Sequence, residues 1–272
     1  VAWQKQLRDR YLAEGTPPVP DLDVKRAQVR RVGRHLAEQI ILKYEWLGTM
    51  SSTSHHYGIF YGSYCAGVCC VAVGSGSAGS NVHKMFGLDR RQVAMLARGA
   101  CVHWAPTGSN SKLVSWTCRL LSRETAARVV IAYSDTDAGE IGTIYQACNW
   151  TYIGRTRAAR QVIAPNCRIL DEKFLHDRGK PQGLNKTQMV DLLRSNGWRI
   201  QPTNPKHRYV CVLDKSDAAL VARVEAMRQP YPKRPRSIVD DAPGIQPGED
   251  GSLPILGLHD AAPTAHAEAA AD

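Results

Sequence analysis

No stretch of the 272-residue chain approaches the ~18 consecutive apolar residues that a membrane span needs, so no partner membrane is expected. Val1–Arg10 carries charges but no apolar core, which predicts no secretory signal and a cytoplasmic location. The eight cysteines include no CxxC pair, and no four ligands have zinc-site spacing. Several lie in apolar runs, as in Gly67-Val68-Cys69-Cys70-Val71-Ala72-Val73, which predicts reduced core thiols rather than disulfides. His55 and His56 are adjacent, and neighbours on a strand point to opposite faces, so they do not chelate one ion together. His83 and His103 are single ligands only. No metal, iron included, is assigned a ligand set.

Negative charge is in the minority. Thirty-five Lys and Arg face 25 Asp and Glu, a net charge of +10. Between Arg155 and Arg208 there are twelve basic residues against four acidic ones, and after Gln229 three against seven. The positive charge therefore belongs to the folded part. It suits either a polyanionic partner or an ordinary solvated surface.

The chain reads as an N-terminal extension over residues 1–20, a main domain over 21–228 and a tail over 229–272. The tail is rich in Pro, Gly, Ala and Asp and is expected to be disordered. Trp3, Leu7, Tyr11 and Leu12 are spaced for a short docking helix. Asp21 is placed to cap a helix from about Leu22 to Tyr44, with Val29, Val32, Leu36 and Ile40 on one face. Tyr57–Val73 predicts a hairpin turning at Gly62-Ser63. A Gly/Ser-rich loop follows, Gly74–Ser80. Gln92–Trp104 reads as strand, Lys112–Ala127 as helix, and Val129–Ser134 as a buried strand. Ile141–Asn149 reads as a short helix, and Trp150–Gly154 and Thr156–Ile163 as strand. An insertion over about 168–199 contains a helix that Asn185 caps and Gly197 stops. Its role is open between nucleic-acid binding and covering a sheet edge. Tyr209–Leu213 and Ala218–Arg228 give a last strand and helix. This order predicts an α/β fold: a central mixed sheet flanked by helices, with a helical insertion before the last strand. The strands on either side of the Lys112–Ala127 helix should be parallel neighbours.

The segment from Ala132-Tyr133-Ser134-Asp135-Thr136 to Gly142-Thr143-Ile144-Tyr145-Gln146-Ala147-Cys148-Asn149-Trp150 resembles the last block of GNAT acyltransferases. With Leu96-Ala97-Arg98, Asn110-Ser111 and Lys206-His207-Arg208-Tyr209-Val210 in order, it is more closely similar to the Mom family of phage DNA modification proteins. Each motif is weak, and the ordered set, from about Ile41 to Leu213, is stronger.

That resemblance implies a GNAT-like fold and transfer of a carbamoylmethyl (acetamido) group to adenine N6 in duplex DNA. The modification would protect phage DNA from restriction in the host cytoplasm. A simple acyl transfer would leave an amide at N6, so a further step or an unusual donor is required. The donor stays open between acetyl-CoA and another acyl or aminoacyl donor. Thr107–Ser111 has one Gly, not the Gly-rich pyrophosphate loop of acetyl-CoA enzymes. Ser109, Asn110 and Ser111 at a helix start would hold the donor. Asp135, just after a buried-type strand, is a base or an orienter, or else a turn residue. Arg98 lies in an apolar strand and must pair, point into a cleft or face solvent. Tyr145 would donate a proton or stack on a base, or else sit in the core. Ser115 stands near the reaction centre or on a helix surface. Arg98, Ser111, Asp135 and Tyr145 are expected to share one cleft. Arg155, Arg157, Arg160, Lys206, Arg208 and Tyr209 would contact DNA. Tyr44 and Tyr57 are further aromatic candidates. Competing functions are a GNAT-fold acyltransferase acting on a small amine or RNA, and a DNA-binding protein without catalysis. The chain would act as a monomer or homodimer.

Overall fold

The computed structural model describes residue 6 and residues 21–74, 82–166 and 169–233. The docking helix, most of the Gly/Ser loop and all but the start of the tail lie outside them. Gln28–Arg31 forms strand β1, and helix α1 runs only over Arg34–Tyr44. The expected helix from Leu22 is therefore shortened. Val29 and Val32 fit helical spacing, but β1 pairs with the next strand from Gln28↔Phe60 to Arg31↔Tyr57, and Gly33 marks the break. Asp21 does not cap a helix; its side chain accepts from Asp23 N and pairs with Arg26.

Strands β2 (His55–Tyr61) and β3 (Tyr64–Val73) form the expected hairpin, with Gly62 at φ 59° in its turn. Helix α2 (Val82–Phe86) leads to β4 (Val93–Cys101). Helix α3 (Ser109–Glu124) then crosses to β5 (Val129–Ser134). A short helix α4 (Thr143–Ala147) and strand β6 (Thr151–Arg155) follow.

The chain next leaves the main sheet. Strand β7 (Arg160–Ile163), strand β8 (Ile169–Asp171), helix α5 (Lys173–Gly179), helix α6 (Lys186–Ser195) and strand β9 (Arg199–Pro202) form a lobe with its own three-stranded sheet, ordered β8-β7-β9. The insertion is thus mixed rather than purely helical. Asn185 and Gln188 form a reciprocal capping box at the start of α6, and Gly197 stops it at φ 77°. Val162, Leu175, Met189, Val190 and Leu193 are the lobe's core.

The chain returns as β10 (His207–Val212) and ends its main-sheet layer with helix α7 (Ala218–Glu225). The seven strands are ordered β1-β2-β3-β4-β5-β10-β6. Only the β4–β5 pair is parallel, joined by α3 as expected, which makes the sheet mixed. Among the described residues no helix is long and apolar enough to cross a membrane. Residues 229–233, assigned from composition to the tail, are in place: Gln229 N donates to Tyr152 O, and the Tyr231 hydroxyl donates to Trp150 O at 2.7 Å. Tyr231 adds apolar area to the sheet that composition alone does not reveal.

The turn before α4 is the most constrained junction. Gly142 has φ 74°, and a Cβ there would lie 2.3 Å from the ring of Tyr209. Tyr209 is fully buried, and its hydroxyl donates to Ile141 O. Gly142→Ala is therefore expected to cost roughly 2–4 kcal/mol, from left-handed strain plus overpacking. Urea unfolding followed by circular dichroism measures this; a loss under about 1 kcal/mol would mean the turn relaxes freely.

Candidate active site at the split between two strands

The parallel ladder runs from Val93↔Val129 to Leu96↔Ala132 and stops. On its other side β4 pairs Leu96 with Val71 and Arg98 with Cys70, so Ala97 is an extra residue. This bulge bends β4, as bulges do. It also turns Arg98 to the face of the sheet that carries Cys70. Past the bulge β4 stays with β3, while β5 stays with β10 up to Ser134↔His207. The sheet opens between them at the carboxyl ends of its two parallel strands, where open α/β sheets place ligands.

Charged side chains gather at that opening. Arg98 Nε donates to Thr49 O at 2.9 Å and lies 3.9 Å from a Glu45 carboxylate oxygen. Glu45 follows the last turn of α1 and accepts from Leu47 N at 3.0 Å. Burial raises the Glu45 pKa, and Arg98 works against that rise. Asp135, 6% exposed, directly follows β5. One of its oxygens meets Lys206 Nζ at 2.6 Å and the other accepts from Asp137 N at 3.0 Å.

Glu140 completes the group. Its backbone N–H donates to Asp135 O, which folds the turn back over the strand end. Its carboxylate takes a hydrogen bond from the Asp135 backbone but forms no ion pair among the described residues. Burial, then the charges of Glu45 and Asp135, push its pKa up to about 7, and Lys206 only partly offsets them. Three carboxylates thus face two cations, and Glu140 is the one left without a cation of its own.

Tyr145 lies behind Glu140. Its ring packs between Trp150 and Tyr209, with centroids 5.1 and 5.2 Å away. Its hydroxyl has no hydrogen-bond partner among the described residues. Burial first, and the Glu140 charge second, hold its pKa well above the usual phenol value. The four residues expected in one cleft therefore divide. Arg98 and Asp135 belong to the ionic group and Tyr145 neighbours it. Ser111 sits on α3, where its carbonyl accepts from the Cys148 thiol and its hydroxyl donates to Gly108 O. Ser115 donates to the same thiol sulfur at 3.5 Å. Among the described residues neither serine hydrogen-bonds to the ionic group.

Other candidates are also redistributed. Ser109 is buried, its hydroxyl bonded to Pro106 O and to the Tyr61 hydroxyl, so it fastens the loop and has no capacity for a donor. Asn110 is half-buried at the start of α3. Tyr57 is a core residue whose hydroxyl donates to Glu124 at the far end of α3. Tyr44 packs on His103, with its hydroxyl 3.2 Å from Nδ1. Among the expected DNA contacts, Arg155, Arg157 and Arg160 are exposed. Lys206 is turned to Asp135. Arg208 donates to Ile153 O, with its Nε buried. Tyr209 is a core residue and leaves that group. Sequence reasoning missed Glu45 and Glu140. The available signal was three acids within six residues, Asp135, Asp137 and Glu140, directly after an apolar strand.

Residues 26–233 match the Mom protein family. No curated protein matches the chain. Among solved structures, an N-acetyltransferase from Staphylococcus aureus Mu50 is similar at 7% identity and TM-score 0.38, covering 69% of this chain and 97% of that one. An N-acyl amino acid synthase from uncultured soil microbes aligns at 12% identity and TM-score 0.40, covering 70% and 92%. A Bacillus subtilis acetyltransferase in complex with CoA aligns at 10% identity and TM-score 0.37, covering 69% and 97%.

The Glu140 charge carries a stability cost whose sign is fixed. Its pKa is about 7 in the folded chain against an ordinary 4.5, so between those values the folded state binds more protons than the unfolded one. Stability therefore falls as pH rises through this window, and the full cost is present above about pH 7. Allowing for partial exposure, Glu140→Gln should stabilise the protein by roughly 2 kcal/mol at pH 8. The gain should shrink towards zero by about pH 4.5. Urea unfolding at both pH values checks this; an equal difference at both would show that Glu140 is not desolvated.

Proposed function

Since the chain belongs to the Mom protein family, we propose that it is a transferase that places a carbamoylmethyl (acetamido) group on adenine N6 in duplex DNA. The observation that supports this most directly is the Glu140 carboxylate, buried without a countercation at the split between β4 and β5. The adenine amine is a weak nucleophile, because its lone pair is delocalised into the purine ring. Removing a proton as the new bond forms is the help it needs, and a carboxylate with a pKa near 7 is tuned for that task. Asp135 and Glu45 are held by Lys206 and Arg98. They keep the opening acidic and rigid, while Glu140 takes the proton. Tyr145, with a free hydroxyl beside Glu140, returns a proton to the leaving group.

The donor would be acetyl-CoA or another acyl or aminoacyl donor. Its anionic portion fits the start of α3 at Asn110 and Ser111, where unpaired backbone N–H groups attract negative charge. Acyl transfer alone leaves an amide at N6, so the methylene-linked product calls either for a further step that also supplies the amide nitrogen or for a donor whose methylene carbon bears the leaving group. Adenine N6 lies on the major-groove edge, and enclosing it in the split requires extruding the base, at a cost of a few kcal/mol. Arg155, Arg157 and Arg160, from the end of β6 to the start of β7, are exposed and would hold phosphates beside the opening. Modification of this kind would shield phage DNA from restriction.

Expression in bacteria, digestion of plasmid DNA to nucleosides and mass measurement of the deoxyadenosine peak test the reading. Wild type should yield an adenosine species heavier by one carbamoylmethyl group. Glu140→Gln should lower the yield at least ~100-fold, the usual scale of general-base loss. Asp135→Asn should lower it too. Unmodified deoxyadenosine from the wild type with every cofactor of the host present would end the proposal. Full activity of Glu140→Gln would remove that residue from it.

A further inference from the structure

The lobe between β6 and β10 sits where the catalytic opening is. β10 is antiparallel to β5, and β6 to β10, so the lobe's two connections, 156–159 and 203–206, leave the main sheet at the end where β4 and β5 separate. β7 and β9 then carry the chain outward. Arg160↔Pro202 lies near the main sheet and Ile163↔Arg199 at the far end, so four-residue strands set the tip roughly 13 Å out.

That tip holds a groove of about 760 Å³, lined by Pro165, Asn166, Phe174, Arg178 and Trp198 among others. Phe174 and Trp198 stack at 5.3 Å, and the Arg178 guanidinium lies over Phe174. Arg178, Arg194 and Arg199 are exposed around this aromatic pair. Over residues 160–202 eight Lys and Arg stand against four Asp and Glu. One of those acids, Glu172, is taken up by Lys186. A cationic rim beside an aromatic pair is chemistry that suits a duplex backbone: guanidinium groups meet phosphates, and the rings offer apolar area to the sugars.

We propose that the lobe is a DNA-gripping arm, with Arg178, Arg194 and Arg199 at its tip contacting the phosphate backbone of duplex DNA whose target base lies at the β4–β5 opening. The inference rests on the DNA-modification reading above and adds a second point of attachment to it. An arm at the mouth fixes the register of the duplex against the ionic group, and the sheet itself has no need to read sequence.

The test uses the full chain, a fluorescein-labelled 20-base-pair duplex and anisotropy at several salt concentrations. The variant is Arg178→Gln, Arg194→Gln and Arg199→Gln together. All three side chains are exposed, so the lobe's core is untouched; Arg194→Gln with Arg199→Gln alone, which also spares the Phe174 contact, is the second variant. The triple variant should bind about tenfold more weakly or worse near 0.1 M salt. Its plot of log affinity against log salt should be shallower by about 2 to 3, near 0.9 for each phosphate lost. The double variant should show about two thirds of that slope change. In turnover on duplex DNA, KM should rise while kcat is kept. If wild type binds duplex and the triple variant matches it in affinity and slope, the arm is not a DNA grip, though the modification reading stands. If wild type does not bind duplex at low salt, both fall together.

Discussion

One extra residue in β4 governs the functional half of this molecule. A parallel pair of strands has no geometric reason to separate while its ladder continues. Here the ladder stops after four residue pairs, at the point where Ala97 is left without a partner opposite Cys70 and Val71. The bulge does two things at once. It bends β4 away from β5, which opens the sheet. It also reverses the side-chain alternation, so that Arg98 meets Glu45 and Thr49 instead of following Leu96 into the core. Had the strand kept strict alternation, a guanidinium would have been forced among apolar side chains, at a desolvation cost of several kcal/mol. The opening and the charge at its wall have one cause.

The ionic group behaves as a unit because its members are not matched in number. Two cations hold two carboxylates, and the third carboxylate sits in their combined negative field with little water around it. That arrangement is unfavourable for folding and useful for proton transfer, the usual trade at functional sites. Glu140 is kept there by backbone constraints rather than by a cation of its own. Its N–H is tied to Asp135 O, and two residues later Gly142 passes against the Tyr209 ring in a conformation open to glycine. Tyr209 was expected to contact DNA; it is buried, and that burial is what allows it to fix this turn. The aromatic stack of Trp150, Tyr145 and Tyr209 is the floor on which the turn rests.

Local signals made much of the fold legible. The hairpin at Gly62, the apolar run of β5, helix α3 and the Asn185 cap each announce themselves within a few residues, because the physics that fixes them is local. What was not legible depends on partners far away in the chain. β1 looked helical because Val29 and Val32 are three apart, and only pairing with β2 settles its state. The lobe read as helical because its strands are short and polar on one side. Arg98 and Asp135 were legible as charges beside apolar strands. Their partners were not, since Glu45 is about fifty residues from Arg98 and Lys206 about seventy from Asp135. Ser109 and Tyr57 were chosen for their residue type, and the structure spends both hydroxyls on internal bonds.

The same logic bears on why the lobe interrupts the sheet where it does. A hairpin link between β6 and β10 could be closed by a few residues. Lengthening a loop costs only about 0.6 kcal/mol for each doubling, so a segment that brings its own core can be inserted there without unsettling the main sheet. Of the connections between neighbouring strands, this one starts and ends at the mouth of the cleft, one strand beyond the Asp135–Lys206 pair. β10 carries Tyr209 to the turn that holds Glu140, and the residue before β10 is Lys206 itself. A load on the lobe is therefore applied directly to the strand that holds both the cation beside Asp135 and the ring under Gly142. The lobe and the ionic group are thus joined through one strand of six residues.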